Sequence, residues 1–116
     1  MKRGDIYWAA LSPRSGSEQG GRRPVIIFSH DAFNQTSAWR SIIVIPLSTS
    51  STQARRGPTV VTLSAGIGGL SDESCAICHQ ITTLDRAKLK EKIGVLPADI
   101  LTQVEQALLD SVGIRR

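Results

Sequence analysis

The hydrophobic and polar positions divide the chain into a strand-rich part and one terminal helix. In the first two-thirds, short runs rich in β-branched residues alternate with turn residues, which is typical of β-strands. This pattern predicts strands at 5–11, 25–29, 41–47, 59–63 and 74–81, with a further strand continuing past a bend over 80–84. It also predicts a short helical turn over 30–36 capped by Ser29 or Asp31, an exposed loop over 48–58, and either a strand or a helix over 89–96.

The period of the apolar residues changes near the C-terminus. Pro97 suits the first position of a helix and Gly113 suits its end. Between them, apolar residues recur three and four positions apart and define one face: Ile100, Leu101, Val104, Leu108 and Val112. We therefore expect one amphipathic helix that closes a small, strongly bent antiparallel sheet.

Composition is that of a globular protein without a membrane segment. The chain has 116 residues, 41% of them hydrophobic and 21% charged, which favours a single domain over 1–116. No run approaches the roughly 18–20 apolar residues of a membrane span, and the residues from Met1 to Asp5 lack an apolar signal segment. We expect a cytoplasmic protein, and its net charge of +4 is compatible with an anionic partner such as nucleic acid.

The two cysteines lie in a Cys75-Ala-Ile-Cys78-His79 motif, whose spacing is that of covalent haem attachment. The only methionine is Met1 and the only other histidine is His30, so further metal ligands are scarce. In a buried strand over 74–81, Cys75 and Cys78 would point to opposite faces and behave as small apolar residues. We expect no disulfide, no metal and no cofactor.

The segment that begins at Gly16 couples a glycine-rich loop to a strand through Arg23-Pro24. The glycines permit backbone angles that other residues avoid, and Pro24 favours an extended conformation at Arg23. A guanidinium held in this way suits phosphate, because its planar fork of donors matches two phosphate oxygens. The alternative is a salt-bridged arginine at a strand edge.

The common hydrolase and nucleotide-binding motifs are missing from the sequence: Gly-x-Ser-x-Gly, His-Glu-x-x-His and the Walker phosphate loop. What remains is Arg23 and the hydroxyls of Ser48 and Thr49 at a predicted strand end. Such a set can cleave RNA, because the 2′-hydroxyl is an internal nucleophile and an arginine can stabilise the developing charge without a metal. The alternative for Ser48 is an ordinary turn residue.

Four blocks, in this order, resemble the MazF/PemK family of toxin endoribonucleases: Arg3–Trp8, Gly16–Val25, Val44–Ser48 and Asp72–Asp85. The similarity extends from Lys2 to about Val112. It implies a mainly β fold with a C-terminal α-helix, an SH3-like small antiparallel β-barrel that forms a homodimer. It also implies metal-independent cleavage of single-stranded RNA, leaving 2′,3′-cyclic phosphate and 5′-hydroxyl ends. The implied partner is an antitoxin whose acidic, disordered tail blocks the RNA groove.

The resemblance also implies catalytic residues. The family's catalytic arginine falls on Arg23, and its catalytic threonine falls on Ser48. Serine keeps the hydroxyl but lacks the methyl group that restricts the threonine rotamer, so Thr49 is the alternative source of the hydroxyl.

Candidate substrate-binding residues lie in three places, the first two of which match positions of the family. A flap over the site is matched by Glu18, Gln19 and Gly20. Gln80 matches a position near the RNA groove, where it would contact a base edge or form a hydrogen bond across the barrel. Candidate phosphate contacts, or merely solvated charges, are Arg55, Arg56 and Arg86.

A second function on the same barrel is a non-enzymatic poison of DNA gyrase. That related family ends its terminal helix in Trp-Gly-Ile, whereas this chain has Val112-Gly113-Ile114 and so lacks the indole. A third possibility is an RNA-binding module that has lost catalysis, for which the serine at position 48 is the only support.

Overall fold

The computed structural model of the protein describes residues 1–11, 21–49 and 57–115. These residues form seven strands and two α-helices, and the prediction of a mainly β fold with a C-terminal helix is confirmed. The elements are β1 Asp5–Leu11, β2 Gly21–Ile27, α1 Asp31–Asn34, β3 Ser41–Ser48, β4 Val60–Leu63, β5 Ser74–Ile77, β6 Thr82–Asp85, β7 Leu89–Val95 and α2 Ala98–Val112. Neither helix is long and apolar enough to span a bilayer.

The strands form one antiparallel sheet in the order β4-β5-β3-β2-β1-β7, with β6 also paired to β3. Strand β3 changes neighbours along its length: residues 41–44 pair with β6, and residues 47–48 pair with β5. Pro46 lies between these two regions. This change of partner within one strand curves the sheet into a barrel-like shape.

Apolar residues pack on both faces of the β1–β2–β3 sheet. One cluster contains Ile6, Ile26, Ile45 and Leu47 together with Val104 and Ala107 of α2, and the other contains Ala9, Val25, Ile27, Ile42 and Val44. Val104 of the predicted apolar face of α2 is fully buried, as expected. Val112, assigned to the same face, is 59% exposed. The last turn of the helix therefore extends beyond the core.

Both helices begin one residue later than predicted. Helix α2 begins at Ala98, so Pro97 is its N-cap, and Gly113 ends it in the left-handed conformation at a φ of 72°. Helix α1 is capped by His30, whose Nδ1 accepts a hydrogen bond from the Ala32 N–H at 2.9 Å. The predicted caps have other partners: Ser29 bonds to Asn34, and the Asp31 carboxylate accepts from the Arg3 N–H at 2.6 Å.

Strand β2 is longer than predicted at its start. It begins at Gly21 rather than Val25 and ends at Ile27 rather than Ser29. The first strand causes this extension, because its pairing with β2 runs from Ile6 opposite Ile26 to Leu11 opposite Gly21. Residues 89–96, which the sequence left open between strand and helix, form strand β7 through Val95.

The predicted strand over 74–81 is wrong in its second half. Strand β5 ends at Ile77, and Cys78 begins a 3₁₀ turn, Cys78–Gln80. The argument that strand alternation separates Cys75 from Cys78 therefore fails. Both are free and buried, and burial raises the pKa of the Cys78 thiol to about 12. The thiol is thus un-ionised at neutral pH, as expected for a packing residue.

Candidate active site

A cleft of about 290 Å³ opens where β2 begins and β3 ends. Of the predicted site residues that the structure describes, Arg23 and Thr49 line it. Its other walls come from Trp8 in β1 and from the turn that precedes β5, which includes Ser71 and Asp72. The cleft therefore joins segments that are far apart in the sequence.

The pairing of β2 with β3 relates Arg23 to Ser48. Val25 lies opposite Pro46, and Ile27 lies opposite Val44. The pairing of the two strands ends at Val25 and Pro46; continued by two residues, the same register would set Arg23 level with Ser48. Because side chains alternate along strands, both residues belong to the side of the sheet that carries Val25.

The two candidate hydroxyls differ in exposure. Ser48 is the last residue of β3, is only 4% exposed, and lies opposite Cys75 of β5. The prediction that an exposed loop begins at Ser48 is therefore wrong, because pairing with β5 extends the strand by one residue. Thr49 is exposed and lines the cleft, whereas Ser48 is not among the described residues that do so. Register favours Ser48 as the partner of Arg23, and exposure favours Thr49.

Arg22 and Trp8 form a contact that sequence reasoning missed. In the β1–β2 pair, Ala10 lies opposite Arg22 and Trp8 lies opposite Pro24, so Arg22 and Trp8 share a face. The Arg22 guanidinium lies 5.0 Å from the centre of the Trp8 ring, a cation–π geometry. Its Nη2 also lies 2.7 Å from Oε2 of Glu91 in β7. Strand alternation in the two paired segments was the signal that could have found this cluster.

The wall that carries Asp72 is held against β7 by close backbone contact. A Cβ atom at Gly94 would lie 2.2 Å from the Gly68 carbonyl oxygen, so only glycine permits this approach. Gly68 itself has a φ of 60°, which favours glycine. The Ser74 hydroxyl then donates to the Asp72 carbonyl at 3.0 Å. The turn is thereby fixed on two sides.

Arg86 is not available as a phosphate contact, so that prediction is wrong. Its guanidinium donates to four backbone carbonyls at 2.9–3.0 Å, those of Phe33, Asn34, Thr36 and Trp39. These bonds tie α1 and the residues that follow it to the turn after β6. The 41–44 half of β3, which pairs with β6, is the half away from the cleft. Arg86 therefore has a structural role.

The remaining predicted contacts are not among the described residues that line the cleft. Gln80 is half-buried in the 3₁₀ turn after β5 and is not among the described residues that line the cleft. The flap and loop residues fall outside the described residues: Glu18, Gln19, Gly20, Arg55 and Arg56. Over the described ranges, no three His, Cys, Asp or Glu side chains are grouped to hold a metal ion. The described cleft thus offers arginines, hydroxyls and a carboxylate.

Comparisons with known proteins agree with this architecture. The family model described as PemK-like, MazF-like toxin of type II toxin-antitoxin system matches residues 2–112. The chain is 37% identical over 114 residues to Endoribonuclease EndoA from Bacillus subtilis, covering 98% of this chain and 96% of that protein.

Solved structures show the same fold. The crystal structure of MazF from Deinococcus radiodurans matches with a TM-score of 0.79 and 28% identity, over 98% of this chain and 97% of that one. The crystal structure of MazE-MazF from the same organism matches with a TM-score of 0.73 and 28% identity, over 99% and 97%. The expected barrel-like antiparallel fold is confirmed, and the chain belongs to the PemK-like, MazF-like family of toxins of type II toxin–antitoxin systems.

Proposed function

We propose that this protein is a metal-independent, sequence-specific endoribonuclease toxin that cleaves single-stranded mRNA in the cytoplasm. Its relative in Bacillus subtilis is named an endoribonuclease. The observation that carries the proposal is that Arg23 and Thr49 line the same cleft. A guanidinium beside a hydroxyl is suited to a phosphodiester.

In the proposed reaction, the 2′-oxygen of one ribose attacks the adjacent phosphorus as the bond from phosphorus to the 5′-oxygen breaks. The 2′-hydroxyl loses its proton and the leaving 5′-oxygen gains one, which yields a 2′,3′-cyclic phosphate and a 5′-hydroxyl. Arg23 donates to the non-bridging oxygens, where negative charge increases. The hydroxyl at 48 or 49 holds the ribose or phosphate in line, since alignment supplies much of the acceleration for an internal nucleophile.

The central test is cleavage of a long unstructured RNA in EDTA. Discrete fragments with cyclic phosphate ends are expected, and RNA with a 2′-deoxy sugar at the cut should stay intact. Arg23→Ala should lower kcat/KM by about 10²–10³-fold, the usual cost of losing a donor to the developing charge.

The matched control is Arg115→Ala, which removes the same charge outside the described cleft lining and should cleave normally. A requirement for added Mg²⁺, or full activity in the Arg23→Ala variant, would contradict the mechanism. Trapped, cleaved DNA with gyrase present and RNA intact would instead support the gyrase-poison alternative. RNA that binds but is never cut would support a binding module.

The choice of hydroxyl is tested by Ser48→Ala and Thr49→Ala. The variant that lacks the catalytic hydroxyl should lose about 10²-fold in kcat at nearly unchanged KM. The other should fall by less than about threefold. Equal, small losses in both variants would show that neither hydroxyl acts in the reaction.

We further propose that this protein forms a homodimer. The acidic, disordered tail of an antitoxin binds this homodimer and competes with RNA. The net charge of +4 and the cleft arginines support an acidic competitor. Inhibition by an acidic antitoxin peptide should weaken as salt rises, because salt screens exposed charges. Inhibition that is independent of salt would indicate a mainly apolar contact.

A further inference from the structure

We propose that Asp72 is a specificity-determining residue that selects an RNA base bearing an amino group, guanine most strongly, beside the scissile phosphate. This inference rests on the proposed function and concerns the same cleft. Asp72 is exposed on the cleft wall, across from the start of β2 that carries Arg22 and Arg23. Among the salt bridges of the described chain none includes Asp72, whereas Arg22 is paired with Glu91.

A carboxylate in this position is unfavourable for binding a polyanion unless it contacts something other than phosphate. Like charges repel, so Asp72 lowers the affinity of the cleft for phosphate itself. An ionised carboxylate only accepts hydrogen bonds, through two oxygens. Its partners in RNA are therefore the 2′-hydroxyl of ribose and the N–H donors of a base, and of these only the base donors differ from one nucleotide to the next.

The four bases differ in what they present to such an acceptor. In single-stranded RNA the Watson–Crick edge is open to a protein. Guanine offers two neighbouring donors there, N1–H and the 2-amino group, which match both carboxylate oxygens. Cytosine and adenine offer one amino group, whereas uracil places carbonyl oxygens on either side of its single N–H. The carboxylate thus favours guanine and disfavours uracil.

Two features of the cleft support a base at this position. The indole of Trp8 supplies an aromatic wall, and stacking on aromatic side chains is a general way to hold an unpaired base. The backbone beside Asp72 is fixed by the Ser74 hydrogen bond and by the Gly68–Gly94 contact in the adjoining turn. A fixed backbone lets a single side chain discriminate between bases.

The test is Asp72→Asn, which keeps the shape, adds a donor and leaves the backbone carbonyl that Ser74 needs. Cleavage of an RNA pool randomised around the cut should show a base preference at one neighbouring position in the wild type. The ratio of kcat/KM for guanine over uracil there should fall by about tenfold or more in the variant, the typical value of one good base contact. Asp110→Asn, the same change on the exposed side of α2, should leave every preference unchanged.

A second measurement separates this inference from the proposed function. Non-cleavable 2′-deoxy oligonucleotides that differ only in that base are titrated against wild type and Asp72→Asn. If RNA is cut but neither assay depends on Asp72, the inference is wrong and the proposed function stands. If nothing is cut but binding shows a preference that depends on Asp72, the proposed function is wrong and the inference stands. If the protein neither cuts nor binds, both are wrong.

Discussion

Arginines at the two ends of the sheet have opposite surroundings. At the latch, by which we mean Arg86 and the segment 33–39, one guanidinium donates to four backbone carbonyls. At the cleft, Arg22 is paired with the Glu91 carboxylate and lies over the Trp8 ring, and Arg23 lines the same cavity as Thr49. An arginine enclosed by main-chain carbonyls stabilises the fold, whereas one held at a strand end beside a cleft can reach a ligand.

The largest effect on stability is expected from Gly94→Ala, which disrupts the backbone contact between β7 and the turn that forms the cleft wall. Its Cβ would lie 2.2 Å from the Gly68 carbonyl, and a backbone atom cannot move away easily. We expect the free energy of unfolding to fall by about 3 kcal/mol or more, measured by urea denaturation. Gly113→Ala is the control: its φ is positive, but nothing lies within 4 Å of the added atom, so the loss should be about 1–2 kcal/mol. Equal losses would show that the contact is unimportant.

The next effect is expected at the latch. Arg86→Ala should lower the free energy of unfolding by about 2–3 kcal/mol, because four carbonyls lose a charged donor. RNA cleavage per folded molecule should stay within about twofold of wild type, as for a substitution outside the site. Arg40→Ala, which breaks only an exposed ion pair with Asp85, should cost less than about 1 kcal/mol. A stable Arg86→Ala variant with impaired cleavage would show instead that Arg86 acts in cleavage and is not needed to stabilise the fold.

The smallest effect is the acid dependence of stability at Asp85, the residue that precedes Arg86 of the latch. The Ala87 N–H, and then Arg40, hold the pKa of Asp85 below its usual value. A lowered folded-state pKa stabilises the protein above the unfolded pKa of about 3.9, and this contribution is lost as pH falls through the folded pKa. Asp85→Asn should therefore be slightly less stable than wild type near neutral pH, and the two urea midpoints should converge in acid. A difference that persists at low pH would mean that the carboxylate charge is not its cause.

The pattern of hydrophobic positions was sufficient to predict most of the helices and strands, because such elements are encoded by residues close together in the sequence. Runs of β-branched residues and the three-to-four spacing of apolar residues depend only on neighbouring positions, and they located β1, β3, β4 and α2 to within about one residue. The extra length of β2 and the early end of β5 were missed. Pairing with β1 extends the first, and the 3₁₀ turn at Cys78 ends the second.

The candidate site was predicted only in part. Motif resemblance identified Arg23 and the hydroxyls at 48 and 49, and the structure shows that Arg23 and Thr49 share a cleft. It did not identify Trp8, Arg22 or Asp72, because their proximity depends on strand register and on a turn folded back against β7. Arg86 was also grouped with the candidate phosphate contacts, because a sequence does not show which acceptor groups an arginine donates to.

By itself the sequence determined the class of fold, the terminal helix, the family and the choice of Arg23 for the candidate site, because these follow from local periodicity and contiguous motifs. The tertiary structure alone decided which arginine stabilises the backbone, which of two adjacent hydroxyls is exposed, and that Asp72 lies in the cleft. Those outcomes depend on contacts between residues tens of positions apart, and such contacts exist only once the sheet has curved.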